Sequence, residues 1–252
     1  MPARPRLRKA KKKTMGKKKR FFPKIALLLL AAGIGVYFFA FPDVSRLRKE
    51  NPGKTSFMEQ REEEWKKEGK GYKIKRKWVP LKEISPYLIK AVLIAEDDKF
   101  WAHEGFDYEA IVKAIEKDIK AKKFKSGGST VTQQLAKNLY LSSSKNPLRK
   151  LREAVIAWRL ERSLTKRRIL EIYLNVAEWG DGGIFGIEAA ANHYYGKAAS
   201  VLAPEEAARL AAVLPNPRRY NPLGDSGYVK KRADAILDIM IQRGIVVPED
   251  GE

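Results

Sequence analysis

The sequence predicts a mainly α-helical fold behind one N-terminal apolar segment. From Pro80 onward, apolar residues recur at helical spacing almost throughout. Turn signals divide that stretch at Gly127-Gly128, Asn146-Pro147, Gly180–Gly183, Pro215-Asn216-Pro217 and Asn221-Pro222. No alternating apolar–polar run stands out beyond a short strand pair expected around Tyr72–Val79, and no internal repeat is visible. The expected helices are 85–96, 109–123, 130–141, 148–163, 166–178, 186–194, 204–214 and 227–243. With 252 residues, 44% of them hydrophobic, the chain can bury a real core.

Ile25–Phe41 is an uncharged apolar run of 17 residues. As a helix it would be about 26 Å long, close to a hydrocarbon core of about 30 Å, with Phe21, Phe22 and Lys24 extending it to the interface. A cleaved leader is disfavoured, because no small-x-small site precedes Pro42. A buried core helix is the lesser rival. Residues 1–24 hold 12 basic and no acidic side chains, whereas Pro42–Gln60 holds four basic and three acidic ones. That bias places the tail in the cytoplasm and the rest of the chain outside. The tail reads as a topology signal and a binder of anionic lipid, so no nucleic-acid partner is expected. The expected organisation is a basic tail (1–24), a transmembrane helix (25–41), a charged and partly helical juxtamembrane connector (42–79), and a single domain (80–252).

Zero cysteines exclude a disulfide framework and a thiolate nucleophile, and two histidines, His103 and His193, argue against a multi-histidine metal site. Catalysis must then rest on carboxylates, hydroxyls and cations. Three places supply them. Glu96-Asp97-Asp98 ends an apolar helical segment, where carboxylates face the negative end of the helix dipole. Dipole, neighbouring acids and burial would each raise a carboxyl pKa, as a general base requires, and a solvated acidic turn is an equally good reading of the spacing. Ser126–Leu141 (SGGSTVTQQLAKNLYL) places Gly127-Gly128 before Thr130 and Gln133, which fit a capping box. The free N–H groups of such a helix start, with Lys137 two turns on, suit an anion, although a plain capped helix explains the pattern too. Arg149-Lys150-Leu151-Arg152-Glu153 gives either an intrahelical ion pair or a cationic clamp. Lys166–Asn175 reads mainly as packing. Two separated carboxylates, an anion site and a cationic cluster beside a membrane suit chemistry on a lipid-linked diphosphate.

These residues also carry a resemblance. Glu96-Asp97-x-x-Phe100-x-x-His103-x-Gly105, Gly127-Gly128-Ser129-Thr130-x-Thr132-Gln133-Gln134-Leu135-x-Lys137-Asn138, Arg149-Lys150-x-x-Glu153 and Lys166-x-x-Ile169-Leu170-Glu171-x-Tyr173-Leu174-Asn175 resemble, in order, the motifs of the peptidoglycan glycosyltransferases (glycosyltransferase family 51). Asn175–Gly180 and Leu214–Tyr220 resemble its monofunctional, biosynthetic branch. The resemblance spans roughly Pro80 to Pro222, with an extra glycine in Gly180-Asp181-Gly182-Gly183 as a small departure.

The resemblance implies a lysozyme-like α-helical domain that polymerises lipid II into glycan strands at the bacterial cytoplasmic membrane. It implies Glu96 as the base and Glu153 as a second carboxylate on the diphosphate side, acting directly or through a divalent cation (Mg or Mn); no cofactor is implied as obligatory. Thr130, Gln134, Lys137, Arg149 and Lys150 match donor-site positions, and Asp97, Phe100 and His103 match positions shaping the site around the base. The implied partners are lipid II, the growing lipid-linked glycan, the membrane, and transpeptidases with division or elongation proteins. The nearest rival is a lysozyme-like peptidoglycan hydrolase or lytic transglycosylase, which needs no diphosphate clamp. A non-catalytic membrane scaffold is a further one. Ser-x-x-Lys matches at Ser142–Lys145 and Ser163–Lys166 fall inside the glycosyltransferase motifs, so no transpeptidase domain is expected.

Overall fold

The structure, a computed structural model, describes residues 27–33, 35, 41–121, 127–142 and 146–246. Its contacts divide the chain into Met1–Asp43 and a compact unit, Val44–Glu252. In the first, residues 27–33 and 35 are helical, and the remainder of the expected span 25–41, apart from Phe41, lies outside the described residues. Among the described residues no helix is long and apolar enough to cross a membrane.

The second unit is mainly helical, and its helices form two groups. One group consists of α2 (Pro86–Glu96), α8 (Pro204–Val213) and α9 (Gly227–Gln242), packed on one another. Here α2 turns Leu88, Ala91 and Val92 inward, and α8 answers with Ala207, Ala208, Leu210 and Ala211. Small side chains at that contact bring the helices close. The other group is built on α4 (Val131–Tyr140), against which α1 (Ser56–Lys67), α5 (Pro147–Ser163) and α6 (Lys166–Val176) all pack. In α6 the whole run Ile172–Val176 is buried, so this helix is enclosed on every side at its C-terminal end. α3 (Tyr108–Ala121) differs, exposing Tyr108, Val112, Ile115 and Ile119 along one face.

The strands are not where the sequence placed them. A short antiparallel pair forms from β1 (Glu178–Gly180) and β2 (Ile184–Phe185), across what read as a turn, and α7 (Ile187–Tyr195) follows. Of the expected pair at Tyr72–Val79, only Lys75 bridges, to Ile184. The glycines explain the turn: Gly183 has φ +88°, and a Cβ there would lie 2.2 Å from the Lys73 carbonyl oxygen. Val79 bonds to a side chain instead of a strand. Its N–H donates to Asn175 Oδ1 at 2.9 Å, and its carbonyl accepts from Asn175 Nδ2 at 2.8 Å.

Residues 44–79, expected as a connector, belong to this compact unit. Thr55 caps α1 by accepting from the Met58 N–H at 3.2 Å, and the helix buries Met58 and Trp65. Arg61 reaches across to Glu178 at 2.9 Å.

Candidate active site

The candidate residues meet at the seam between the two helix groups. Glu96 is the last residue of α2. Its Oε2 accepts from Gln134 Nε2 of α4 at 2.8 Å, and Gln134 Oε1 accepts from the Tyr173 hydroxyl of α6 at 3.1 Å. An ionised carboxylate can only accept, so Glu96 draws the NH2 end of Gln134, and the Tyr173 hydroxyl donates to the amide oxygen left over. Burial pushes the Glu96 carboxyl above the usual range; Gln134, Arg232 and Lys137 pull it back, and Asp97 adds to the rise. Burial also drives the Tyr173 phenol well up, which keeps it a donor. Glu96 lines a cleft of about 300 Å³ with Asp97 and Gly127–Thr130.

Asp97 and its neighbours brace this corner. Asp97 Oδ2 accepts from the Val131 N–H, the first of α4, at 2.9 Å, and Oδ1 lies 2.8 Å from His103 Nε2. The Gly105 N–H donates to His103 Nδ1 at 3.1 Å, so the proton sits on Nε2 and is given to Asp97. Phe100 is fully buried beneath, with Lys166 Nζ 4.5 Å from its ring centroid.

The expected capping box is present. Thr130 Oγ1 accepts from the Gln133 N–H at 3.2 Å, and Gln133 Oε1 accepts from the Thr130 N–H at 3.0 Å. The consequence for the expected anion site is direct. The Thr130 hydroxyl also donates to the Gly105 carbonyl at 2.7 Å and is buried. Beyond the capping box, the protein's own Asp97 therefore occupies the Val131 N–H, a group that the sequence left open to a ligand.

The cationic cluster lies one turn along α4 and on the facing helix. Glu153 is 3% exposed; its Oε2 accepts from Arg149 at 2.7 Å and its Oε1 from Lys150. Lys150 also donates to Ser129 Oγ at 3.0 Å, tying α5 to the glycine loop. Lys137 is pushed down by burial, held up by Glu153, and lowered further by Arg149, Lys150 and Arg61. Its charge also favours the ionised form of Glu96. Gln134 and Lys137, three residues apart, share one face of α4. Beyond them opens a cleft of about 450 Å³ that Phe57, Arg61, Tyr173, Glu178 and Arg218 help to line.

Several of these residues were not singled out by sequence. Tyr173 and Lys166 read as packing. Arg61 lay in the connector, and Arg232 of α9 and Glu161 of α5 lay outside every motif. Glu161 accepts from Thr132 at 2.6 Å and from Lys166 at 2.8 Å. For a resident divalent cation the donor set fits poorly. Glu153 is a single carboxylate with both oxygens ion-paired, and among the described residues no group of three His, Asp or Glu could hold a metal.

A helical domain that sets a nearly buried carboxylate near an Arg/Lys cluster on the facing helix has the build of a group-transfer enzyme. The comparisons narrow that class. The family model described as Transglycosylase matches residues 62–241. A biosynthetic peptidoglycan transglycosylase of Nitrosospira multiformis is 45% identical, over 90% of this chain and 98% of the relative. Proteins of the same name from Methylobacillus flagellatus and Azoarcus sp. are 48% identical over 81% of this chain and 52% identical over 77% of it, covering 88% and 82% of those relatives. The chain belongs to the transglycosylase family.

Proposed function

We propose that this enzyme polymerises lipid II into peptidoglycan glycan strands, with Glu96 as the general base. Glu96 takes the proton of the acceptor GlcNAc 4-hydroxyl, whose oxygen attacks C1 of the lipid-linked MurNAc. The C1–O bond to phosphate breaks, undecaprenyl diphosphate leaves, and attack from the opposite face inverts α to β. The leaving diphosphate falls to Lys137, Arg149 and Lys150, with Glu153 orienting the latter two. Charge developing on the leaving oxygens is met by cations already in place, which is where such a site gains its rate. Asp97, Phe100, His103 and Thr130 support this geometry from beneath.

The observation that carries the reading is a nearly buried carboxylate at the end of α2, held by Gln134 of α4, together with a separate cationic cluster ion-paired to Glu153 on the facing helix. A lysozyme-like hydrolase, the rival, has no use for that cluster. The fold is read as lysozyme-like, and the enzyme as a single-pass protein of the bacterial inner membrane, with residues 1–24 in the cytoplasm, 25–41 spanning, and 80–252 catalytic on the outer side. Lipid-bound substrate at both ends of the reaction favours such an anchor, and the open apolar face of α3 suits work at a bilayer.

The test uses purified full-length protein in detergent with labelled lipid II, and products resolved by size. Wild type is expected to give long, muramidase-sensitive glycan. Glu96→Gln is expected to lose about 10²–10⁴ in rate, the usual worth of a general base. Wild type that leaves lipid II untouched but cleaves finished glycan would establish the hydrolase instead.

A further inference from the structure

We infer that Arg232 of α9 is a positioning residue for Glu96: it keeps the carboxylate ionised without occupying the lone pair that a base must offer, and so sets the lowest pH at which the enzyme works. The inference rests on the base role proposed above. Arg232 Nη2 donates to the Ala95 carbonyl at 3.0 Å and stands 3.5 Å from Glu96 Oε1. The first contact ties the guanidinium to the C-terminal turn of α2, where unsatisfied carbonyls make the helix end negative. The second is too long for a strong hydrogen bond and short enough for strong attraction. Among the described residues, Glu96 Oε1 and Arg232 Nε are both buried and accept or donate no hydrogen bond within the protein.

Charge has to come from somewhere at this corner. The buried site, the helix end and Asp97 all oppose ionisation of Glu96. Gln134 of α4 stabilises Oε2, but it is neutral and held by Tyr173 of α6. Lys137 of α4 is a cation shared with Glu153 and weakened by burial among Arg149, Lys150 and Arg61. From α8, Arg209 is spent on the carbonyls of Pro222 and Gly224. Nearer the surface, Asp98 is paired with Arg243, and Lys99 with Glu109. Arg232 is thus the cation dedicated to Glu96, and a guanidinium stays charged at any working pH.

The experiment follows kcat and KM for lipid II against pH, using the full-length enzyme and the variants Arg232→Gln, Arg232→Met, Arg232→Lys and Glu96→Gln. In both neutral variants the acid limb of kcat is expected to move up by about one pH unit, a loss of about tenfold below the limb that recovers above it. KM should stay within about twofold, because Arg232 lies outside the Lys137–Arg149–Lys150 cluster, and Lys should return most of the limb. A folded neutral variant with an unmoved limb overturns the inference, as does a lysine variant displaced as far as the neutral ones. An active Glu96→Gln removes the base reading and this inference together; an inactive one with an unmoved limb removes the inference alone. Should the neutral variants not fold, carbon-13 titration of the wild-type Glu96 carboxyl decides. Ionised at pH 7 it supports the role of Arg232; protonated there, it refutes it.

Discussion

Asp97 and Thr130 both stand beside the start of α4, and the structure gives them internal work. Asp97 holds the Val131 N–H and His103; Thr130 holds the Gln133 N–H and the Gly105 carbonyl. Asp97→Ala leaves a buried N–H and an imidazole unpaired, which is expected to cost about 2–4 kcal/mol, read by chemical denaturation. Thr130→Ala loses a cap, an expected cost of about 1 kcal/mol. Residual activity of the folded Thr130→Ala enzyme should lie far above that of Glu96→Gln, since the Thr130 hydroxyl already donates to Gly105 and accepts from Gln133. At this scale the sequence was a good guide to which residues gather and a poorer one to what each does. Motif order found Glu96, Gln134, Lys137 and Glu153. It could not find Arg232, whose link to Glu96 spans 136 positions of chain and leaves no local pattern, and it carried Tyr173 only within a helix read as packing.

The eight helices expected from periodicity all form, and each end that falls among the described residues is displaced by no more than two residues. Their caps and glycine–proline breaks are local, and local signals survive folding. Some helix was expected in the connector, but α1 was not placed because FMEQREEEWKK carries little apolar surface, and its two buried side chains, Met58 and Trp65, find partners only in the tertiary fold. The strands were misplaced for a related reason. Pairing across Gly180–Gly183 depends on glycine conformations that read as a mere turn, and the extra glycine treated as a small departure proves structural. Gly183→Ala must strain a left-handed residue and push the Lys73 carbonyl aside. The expected loss is about 1–3 kcal/mol, seen as a lower melting temperature.

For the molecule as a whole, the compact unit begins at Val44. A chain starting there is expected to fold, with a cooperative thermal transition. One starting at Pro80 lacks α1, the Met58 and Trp65 side chains, the Val79 partner of Asn175 and the Lys75 bridge to β2. Losing Trp65 alone would cost about 3–5 kcal/mol, a large part of a typical domain's stability. The shorter chain is therefore expected to be insoluble or molten, as circular dichroism would show.

The same embrace has a consequence for the newborn chain. Arg61 and Glu178 are 117 residues apart. At a synthesis rate of about 5–20 residues per second, roughly 6–23 s pass between the appearance of one and the other. Through that interval Arg61 lacks its Glu178 partner, although α4, on which α1 packs, is made sooner. This tie of α1 to the rest of the compact unit, through Glu178 of β1, therefore waits on a late stretch of chain.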